Sequence, residues 1–404
     1  MGALMPTVLT VLGTRPEGIK LAPVLRELET APVRSRCCVT GQHREMLNQV
    51  LDLFGIVPDH DLRIMTADQT PARVAAATLT GLEAVIRSER PDWVLVQGDT
   101  TTAAAAALAA YYARVRVGHV EAGLRTHDKW QPFPEEINRQ VVGAVADLHF
   151  APTGRARDNL LREGVPSEHI LVTGNTVIDA LHWVAAQPWA PTGLEEAARH
   201  KLGAALADSA RIVLVTAHRR ENFGTPLEDI CHALRDLASR YAHRVRFVYP
   251  VHRNPHVWEP VHRLLGDVSN IILLPPLDYL SLVHVMKRAY LVLTDSGGLQ
   301  EEAPGLGVPV LVLREVTERP EGVDAQTVRI VGTERAKVVA ETIRLLEDGD
   351  AYVRMARAVN PYGDGRAAPR IVARLLQDTP STPTATRSDA TGPAATARSV
   401  TGVR

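Results

Sequence analysis

The sequence predicts an α/β fold in which two Rossmann-like domains face each other across an active-site cleft. Three observations carry that expectation. Short, continuous apolar runs alternate with helix-like stretches over almost the whole chain. The alternation breaks once, around residues 186–210, and then resumes. The residues just past several runs are rich in glycine, carboxylates and arginine.

In the first half, strands are expected at 7–12, 36–40, 93–97, 115–120, 148–151 and 170–173, with helices at 19–30, 45–54, 72–89 and 101–113. Runs this short and apolar throughout belong to parallel sheets covered on both faces. The second half repeats the scheme, with strands at 212–216, 245–251, 271–274, 290–294, 308–313 and 328–331 and helices at 227–241, 279–289 and 334–347. Pro188, Pro191, Thr192 and Gly193 interrupt the pattern before a helix at 194–206. A second crossing is expected at Asn360-Pro361-Tyr362-Gly363-Asp364-Gly365, after which a helix at 366–377 returns to the first domain. The expected divisions are therefore 1–185, 186–360 and 361–376, followed by a disordered tail at 377–404, where Thr, Pro, Ala and Ser leave too little apolar surface to offset ordering.

Composition narrows the function. With 404 residues, 45% of them hydrophobic, the chain can bury a large core, and at roughly 150 residues per domain it divides in two. A formal charge of −1, from 45 basic and 46 acidic residues, argues against nucleic acid or an anionic membrane as the main partner. Cys37, Cys38 and Cys231 have neither disulfide nor zinc spacing, and no metal site is expected. The chain opens directly into a strand with no charged leader or long apolar segment, so a cytoplasmic protein is expected. Gly363-Asp364-Gly365-Arg366-Ala367-Ala368 fits a dinucleotide pattern but follows a proline rather than a strand, so no nicotinamide cofactor is expected.

The chemistry should sit at strand ends. Asp295-Ser296-Gly297-Gly298, followed by Glu301 and Glu302, stands where an apolar run stops and a helix begins. Glycines there let amides approach an oxyanion at the positive end of a helix, and a carboxylate one turn on can accept from a ribose diol. Arg15 and Lys20 after the first strand make a second anion site, although a surface Arg and Lys is the alternative. Asp99 could simply cap the following Ala-rich helix. Glu121 has Arg125 as a candidate ion-pair partner, and Glu135 and Glu136 suit a helix start after Pro134. His218 and His252, each beside arginines, could offer protons or hydrogen bonds to phosphate, with a histidine satisfied inside the domain as the alternative for His252. Arg314 adds a cation within reach of Ser296.

These segments resemble a known family. Gly13-Thr14-Arg15-Pro16-Glu17, Gly98-Asp99-Thr100-Thr101-Thr102, His119 to Arg125, His218-Arg219-Arg220-Glu221, Asp295 to Pro304 and Thr317 to Glu321 closely resemble the non-hydrolysing UDP-N-acetylglucosamine 2-epimerases of bacteria, in order over 6–376. The resemblance implies a glycosyltransferase-B-like fold, a homodimer, and interconversion of UDP-N-acetylglucosamine and UDP-N-acetylmannosamine for envelope polysaccharides. It makes Asp99, Glu121, Glu135 and His218 the catalytic set and Arg15, Lys20, Ser296, Gly297, Gly298, Glu302 and Arg319 the nucleotide-sugar contacts. A second UDP-N-acetylglucosamine, as effector, is expected at Gln42-His43-Arg44, although Asp68-Gln69-Thr70 carries an acid where some relatives have Arg. The alternatives are an epimerase of a related UDP-sugar, a glycosyltransferase on the same fold, and a silent nucleotide-sugar sensor.

Overall fold

The structure, a computed structural model, describes residues 5–41, 44–66, 69–191 and 194–379. Its first half builds one parallel sheet from β1 (Thr7–Leu12), β2 (Arg34–Val39), β3 (His60–Asp61), β4 (Trp93–Gln97), β5 (Arg116–Val120), β6 (Leu148–Ala151) and β7 (Ile170–Val172). Their order is β3-β2-β1-β4-β5-β6-β7. The second half builds another from β8 (Arg211–Thr216), β9 (Val245–Pro250), β10 (Ile271–Leu274), β11 (Ala289–Thr294), β12 (Val310–Val312) and β13 (Val328–Ile330), ordered β10-β9-β8-β11-β12-β13. Both orders reverse beside their first strand, between β1 and β4 and between β8 and β11. Such a switch point opens a crevice at the carboxyl ends of the strands. The turns after β1, β4, β8 and β11 are the ones that carry Gly13–Glu17, Asp99, His218 and Ser296.

Strand composition explains the layering. Every residue of β1 and β4 is buried, as continuous apolar runs between two helical layers require. The helix Thr101–Tyr112 lies close against its sheet because Ala103 to Ala107 bring almost no side-chain bulk, and the Thr100 hydroxyl caps it by accepting from Ala103 N–H at 3.0 Å. Helix Thr176–Ala185 was not expected. Eight of its ten residues are buried, between the helices Arg15–Thr30, Tyr279–Arg288, Gly297–Gly305 and Ala367–Gln377, so it presents only a short polar face to solvent.

The chain crosses between the two sheets twice. On the outward crossing the Trp189 ring stacks on His284 at 5.1 Å and its Nε1–H donates to Ser281 Oγ at 3.1 Å. On the return, Gly363 passes so close to Gly174 that a Cβ on either would stand 3.1 Å from the other's Cα. Beside it the Asn175 N–H donates to Tyr362 O at 2.7 Å. The final helix, Ala367–Gln377, takes its first amides to the Asp179 carboxylate, at 3.1 and 2.8 Å, and packs on Arg15–Thr30. Residues 377–379 differ from the expectation of a disordered tail beginning at 377. The helix runs through Gln377, and Thr379 Oγ1 accepts from Trp93 Nε1 at 3.0 Å.

One glycine, in the turn after β5, has no tolerance. Gly123 has φ +87°, and a Cβ there would stand 2.2 Å from Ala156 O. Gly123→Ala should therefore lower the unfolding free energy by about 3 kcal/mol, measured by urea denaturation.

Candidate active site

The first wall of the cleft is organised by a buried carboxylate. Glu17 is fully buried, and its oxygens accept from the amides of Gly13 and Thr14 and from the hydroxyls of Thr14 and Thr100. It ties the turn after β1 to the turn after β4. Thr100, not Asp99, caps the Ala-rich helix, so Asp99 is left for other bonds. Its Oδ2 accepts from Arg139 Nη2, and its carbonyl accepts from Asn138 Nδ2 at 2.9 Å. Arg139 also reaches Glu136 at 3.0 Å, and Glu136 is buried while accepting from the Thr126 and His127 amides, both at 3.1 Å. The adjacent acids therefore differ in role. Glu136 anchors a loop, whereas Glu135, at the helix start, holds a buried Oε2 with no hydrogen-bond partner among the described residues.

Glu121 stands directly after β5 in the left-handed region, with φ +63°, a conformation a non-glycine residue adopts at some cost. Its expected partner, Arg125, instead makes a two-pronged pair with Glu163, at 2.7 Å on both prongs. Lys20 takes that place: Nζ lies 2.6 Å from both Glu121 oxygens. Gln97 Nε2 donates to Oε2, and Asn175 Nδ2 donates to Oε1 at 2.9 Å. Burial alone would raise the Glu121 carboxyl, but Lys20 and Arg319, with the Lys20 and Asn175 hydrogen bonds, hold it below its usual range. Burial would likewise lower Lys20, and Glu121 with Glu301 more than offsets it, so the pair is ionic.

The second wall has its own buried organiser. Asp295 Oδ2 accepts from the His218 amide at 2.7 Å, the Arg219 amide at 2.8 Å and Asn222 Nδ2 at 3.1 Å, which folds the turn after β8 over the end of β11. Its other oxygen lies 3.6 Å from His218 Nδ1. Burial pushes the His218 imidazole down, and Asp295 only partly opposes it, so the ring is neutral near pH 7. His252 is exposed and stacks on His218 with centroids 5.6 Å apart. Ser296 begins the helix Gly297–Gly305 without a side-chain cap bond, leaving the first amides of that helix as donors at its positive end. Arg314 is buried and paired with Glu221 at 2.5 Å, so the cation serving this helix is Arg319, which grips Glu301. Glu302 is buried with Tyr279 Oη donating to it at 2.7 Å, and burial pushes its carboxyl up to about 7.

The two walls meet through Asn175, whose Nδ2 also donates to Glu301 Oε2 at 2.7 Å. Lys20 feels Glu301, Glu121 feels Arg319, and Glu302 feels Arg15, so residues of both sheets share one electrostatic neighbourhood. Arg15 itself is exposed at the first turn of its helix. Beyond this junction a cavity of about 670 Å³ opens between the loop carrying Thr126 and Trp130 and the loop carrying Arg314 and Glu318. Gln42, His43 and Asp68 lie outside the described residues, and Arg44 begins the helix Arg44–Phe54. Among the described residues, no group of His, Cys, Asp and Glu could hold a metal ion, and no helix is long and apolar enough to cross a membrane.

Gln97, Arg139, Asn175, Glu301 and Asp295 hold this site together but were not among the expected site residues. Asp295 and Glu301 were visible as members of the glycine turn; Asn175 stands just past the end of β7, the position where such residues are sought.

Residues 26–376 match the family model described as UDP-N-acetylglucosamine 2-epimerase. The chain is 53% identical over 369 residues to the UDP-N-acetylglucosamine 2-epimerase of Salmonella typhimurium, covering 91% of this chain and 98% of that one. It is similar, with TM-score 0.82 and 45% identity, to the crystal structure of UDP-GlcNAc 2-epimerase from Neisseria meningitidis bound to UDP-GlcNAc, covering 92% of this chain and all of that one (100%). A likeness in fold alone, at 13% identity and TM-score 0.62, extends to the glycosyltransferase of kitacinnamycin, covering 93% of this chain and 99% of that one, and marks the paired sheets as glycosyltransferase-B-like.

The raised Glu302 carboxyl has a stability consequence with a definite sign. Below its ordinary value of 4.5 the group is protonated in both folded and unfolded chains; between 4.5 and about 7 the unfolded chain ionises first, so stability falls as pH rises. Glu302→Gln removes that contribution. The variant should gain on the order of 3 kcal/mol relative to the parent between pH ~5 and pH ~7.5, read from urea unfolding at the two ends of the window.

Proposed function

The chain belongs to the UDP-N-acetylglucosamine 2-epimerase family, and on that premise we propose that its cleft interconverts UDP-N-acetylglucosamine and UDP-N-acetylmannosamine by losing and regaining UDP through a glycal intermediate. The observation that supports this most is the junction of a carboxylate-bearing wall with a helix start suited to phosphate, joined by Asn175 between Glu121 and Glu301.

The proton on C2 is not acidic, so inversion without a redox partner needs a leaving group on C1. A base takes the C2 proton, the C–H electrons become the C1–C2 double bond, and the C1–O bond breaks with its pair on UDP. Re-addition of UDP to C1, with a proton delivered to the other face of C2, completes the inversion. Such a path calls for two proton-transfer groups and fixed donors for the departing diphosphate. Glu121, with donors on both oxygens and a lowered carboxyl, is a poor proton acceptor and serves best as the fixed charge that orients Lys20. Glu135, with its unpartnered Oε2, and Asp99, one of whose oxygens is held by Arg139, are the better candidates for moving protons. The Ser296–Gly298 amides, Arg15, Arg319 and neutral His218 receive the diphosphate, and Glu302 receives the ribose.

The same reading includes a homodimer in the cytoplasm, feeding envelope polysaccharide synthesis, and a second UDP-N-acetylglucosamine as effector beside the substrate. A glycosyltransferase would use the second wall in a similar way, but it would leave Asp99, Glu121 and Glu135 without a task.

Incubation with UDP-N-acetylglucosamine in deuterated water, followed by NMR, separates these outcomes. Deuterium at C2 in both epimers is expected; UDP release only when an acceptor is added would indicate transfer instead. Asp99→Asn, Glu121→Gln and Glu135→Gln should each slow exchange by about 10²- to 10⁴-fold while UDP affinity, measured by calorimetry, changes little. Wild-type exchange rates in all three would remove these carboxylates from the reaction.

A further inference from the structure

Asn175 occupies a position that the epimerase reading does not itself require. It is 2% exposed, and all of its polar groups are engaged. Oδ1 caps the helix Thr176–Ala185 by accepting from Val177 N–H at 3.1 Å, and the backbone N–H donates to Tyr362 O at 2.7 Å. The two hydrogens of Nδ2 go to acids from different sheets: Glu121 Oε1 at 2.9 Å and Glu301 Oε2 at 2.7 Å. Each acid has its own cation, Lys20 for Glu121 and Arg319 for Glu301. The result is a buried row, Lys20–Glu121–Asn175–Glu301–Arg319, with a neutral donor between two like charges.

We infer that Asn175 is a positioning residue for the epimerisation, one that fixes the Glu121 carboxylate relative to the Glu301–Arg319 pair of the nucleotide-binding wall; the inference rests on the epimerase reading. Three features support it. Glu121 leaves its strand through a strained left-handed backbone, so the direction of its side chain is already restricted, and Asn175 holds the far end. The amide cannot titrate, so the link persists at any pH at which Glu121 and Glu301 are ionised. Finally, Asn175 lies at the chain's return crossing, where Gly174 and Gly363 touch, so its backbone is tied to the returning chain as well as to the two acids. Without the amide, two buried carboxylates would face each other, and Glu121 would lose a donor to its charged form.

The test compares the whole protein with Asn175→Ser and Asn175→Asp. Both replacements keep a helix-capping oxygen, so folding is retained and checked by thermal unfolding. Serine is too short to bridge the two acids, and aspartate places a third carboxylate between them. The C2 deuterium exchange rate of Asn175→Ser should fall about 100-fold with UDP affinity within about threefold of wild type, as expected for a misplaced group rather than a lost binding site. The acid limb of its kcat–pH profile should move to higher pH, because Glu121 then keeps only Lys20, Gln97 and the field of Arg319, while the neighbouring His119 imidazole, pushed down to about 3 by burial, stays neutral. Asn175→Asp should show the larger displacement of that limb. An active wild type with Asn175→Ser unchanged in kcat and pH profile overturns the inference alone, as does loss of UDP affinity in step with kcat. A wild type that exchanges no deuterium sinks the epimerase reading and this inference with it.

Discussion

Two buried carboxylates from different sheets share one amide, and much of the cleft depends on that arrangement. Glu121 and Glu301 would repel each other strongly in a low-dielectric interior if they met without compensation. They are held by Lys20 on one side, Arg319 on the other and Asn175 between them. None of these groups is replaceable by charge alone. Lys20 needs the second turn of the helix after β1, Arg319 needs the loop before Pro320, and Asn175 needs to be both a helix cap and a donor. The relative position of the two sheets is thus set by hydrogen-bond geometry in addition to the packing of helix Thr176–Ala185 against both halves.

A second kind of acid recurs around the cleft and has a different purpose. Glu17, Glu136, Asp179 and Asp295 are buried or nearly so, and each collects two or more backbone amides from a turn or helix start. A carboxylate used this way replaces the hydrogen bonds that an irregular backbone would otherwise lack. The loops at the strand ends are therefore tied down by hydrogen bonds, although they belong to no regular element. That tethering matters here because fixed donors lower the reorganisation needed when charge moves.

The strands were legible because residues buried on both faces leave continuous apolar runs, and the strand-end positions followed from the parallel topology. His60–Asp61 was not legible, since two residues make no run, and helix Thr176–Ala185 was missed because eight of its ten residues are buried, which leaves only a short polar face. Within the site, the glycine turn at Ser296 and the acids after β4 and β5 stood out by type and place. What sequence could not distinguish was which acid anchors a turn and which is left open. Glu135 and Glu136 are neighbours of identical chemistry, and the Thr126 and His127 amides, ten and nine residues upstream, together with Arg139, separate their roles. The partner of Glu121 failed for a related reason. Arg125 is near in sequence but Lys20 is near in space, 101 residues away along the chain.

The distribution of committed and uncommitted charge gives the cleft a direction. On the first wall, Lys20 and Arg139 are already paired with carboxylates, so neither is free for an incoming diphosphate. On the second wall, the amides at the start of Gly297–Gly305 lack a side-chain cap, and His218 is neutral with its Nδ1 3.6 Å from the Asp295 carboxylate. Arg15, from the first wall, forms no hydrogen bond with a described residue and sits within the field of Glu302. In the proposed reaction, a diphosphate drawn to the second wall and repelled by the acids of the first would leave the sugar between them, with C2 toward the carboxylates. Negative charge would then accumulate at the second wall as the C1–O bond breaks, while the proton leaves toward acids already held in place. Such a separation favours elimination over direct displacement by water, because the base is spent on C–H rather than on activating a nucleophile.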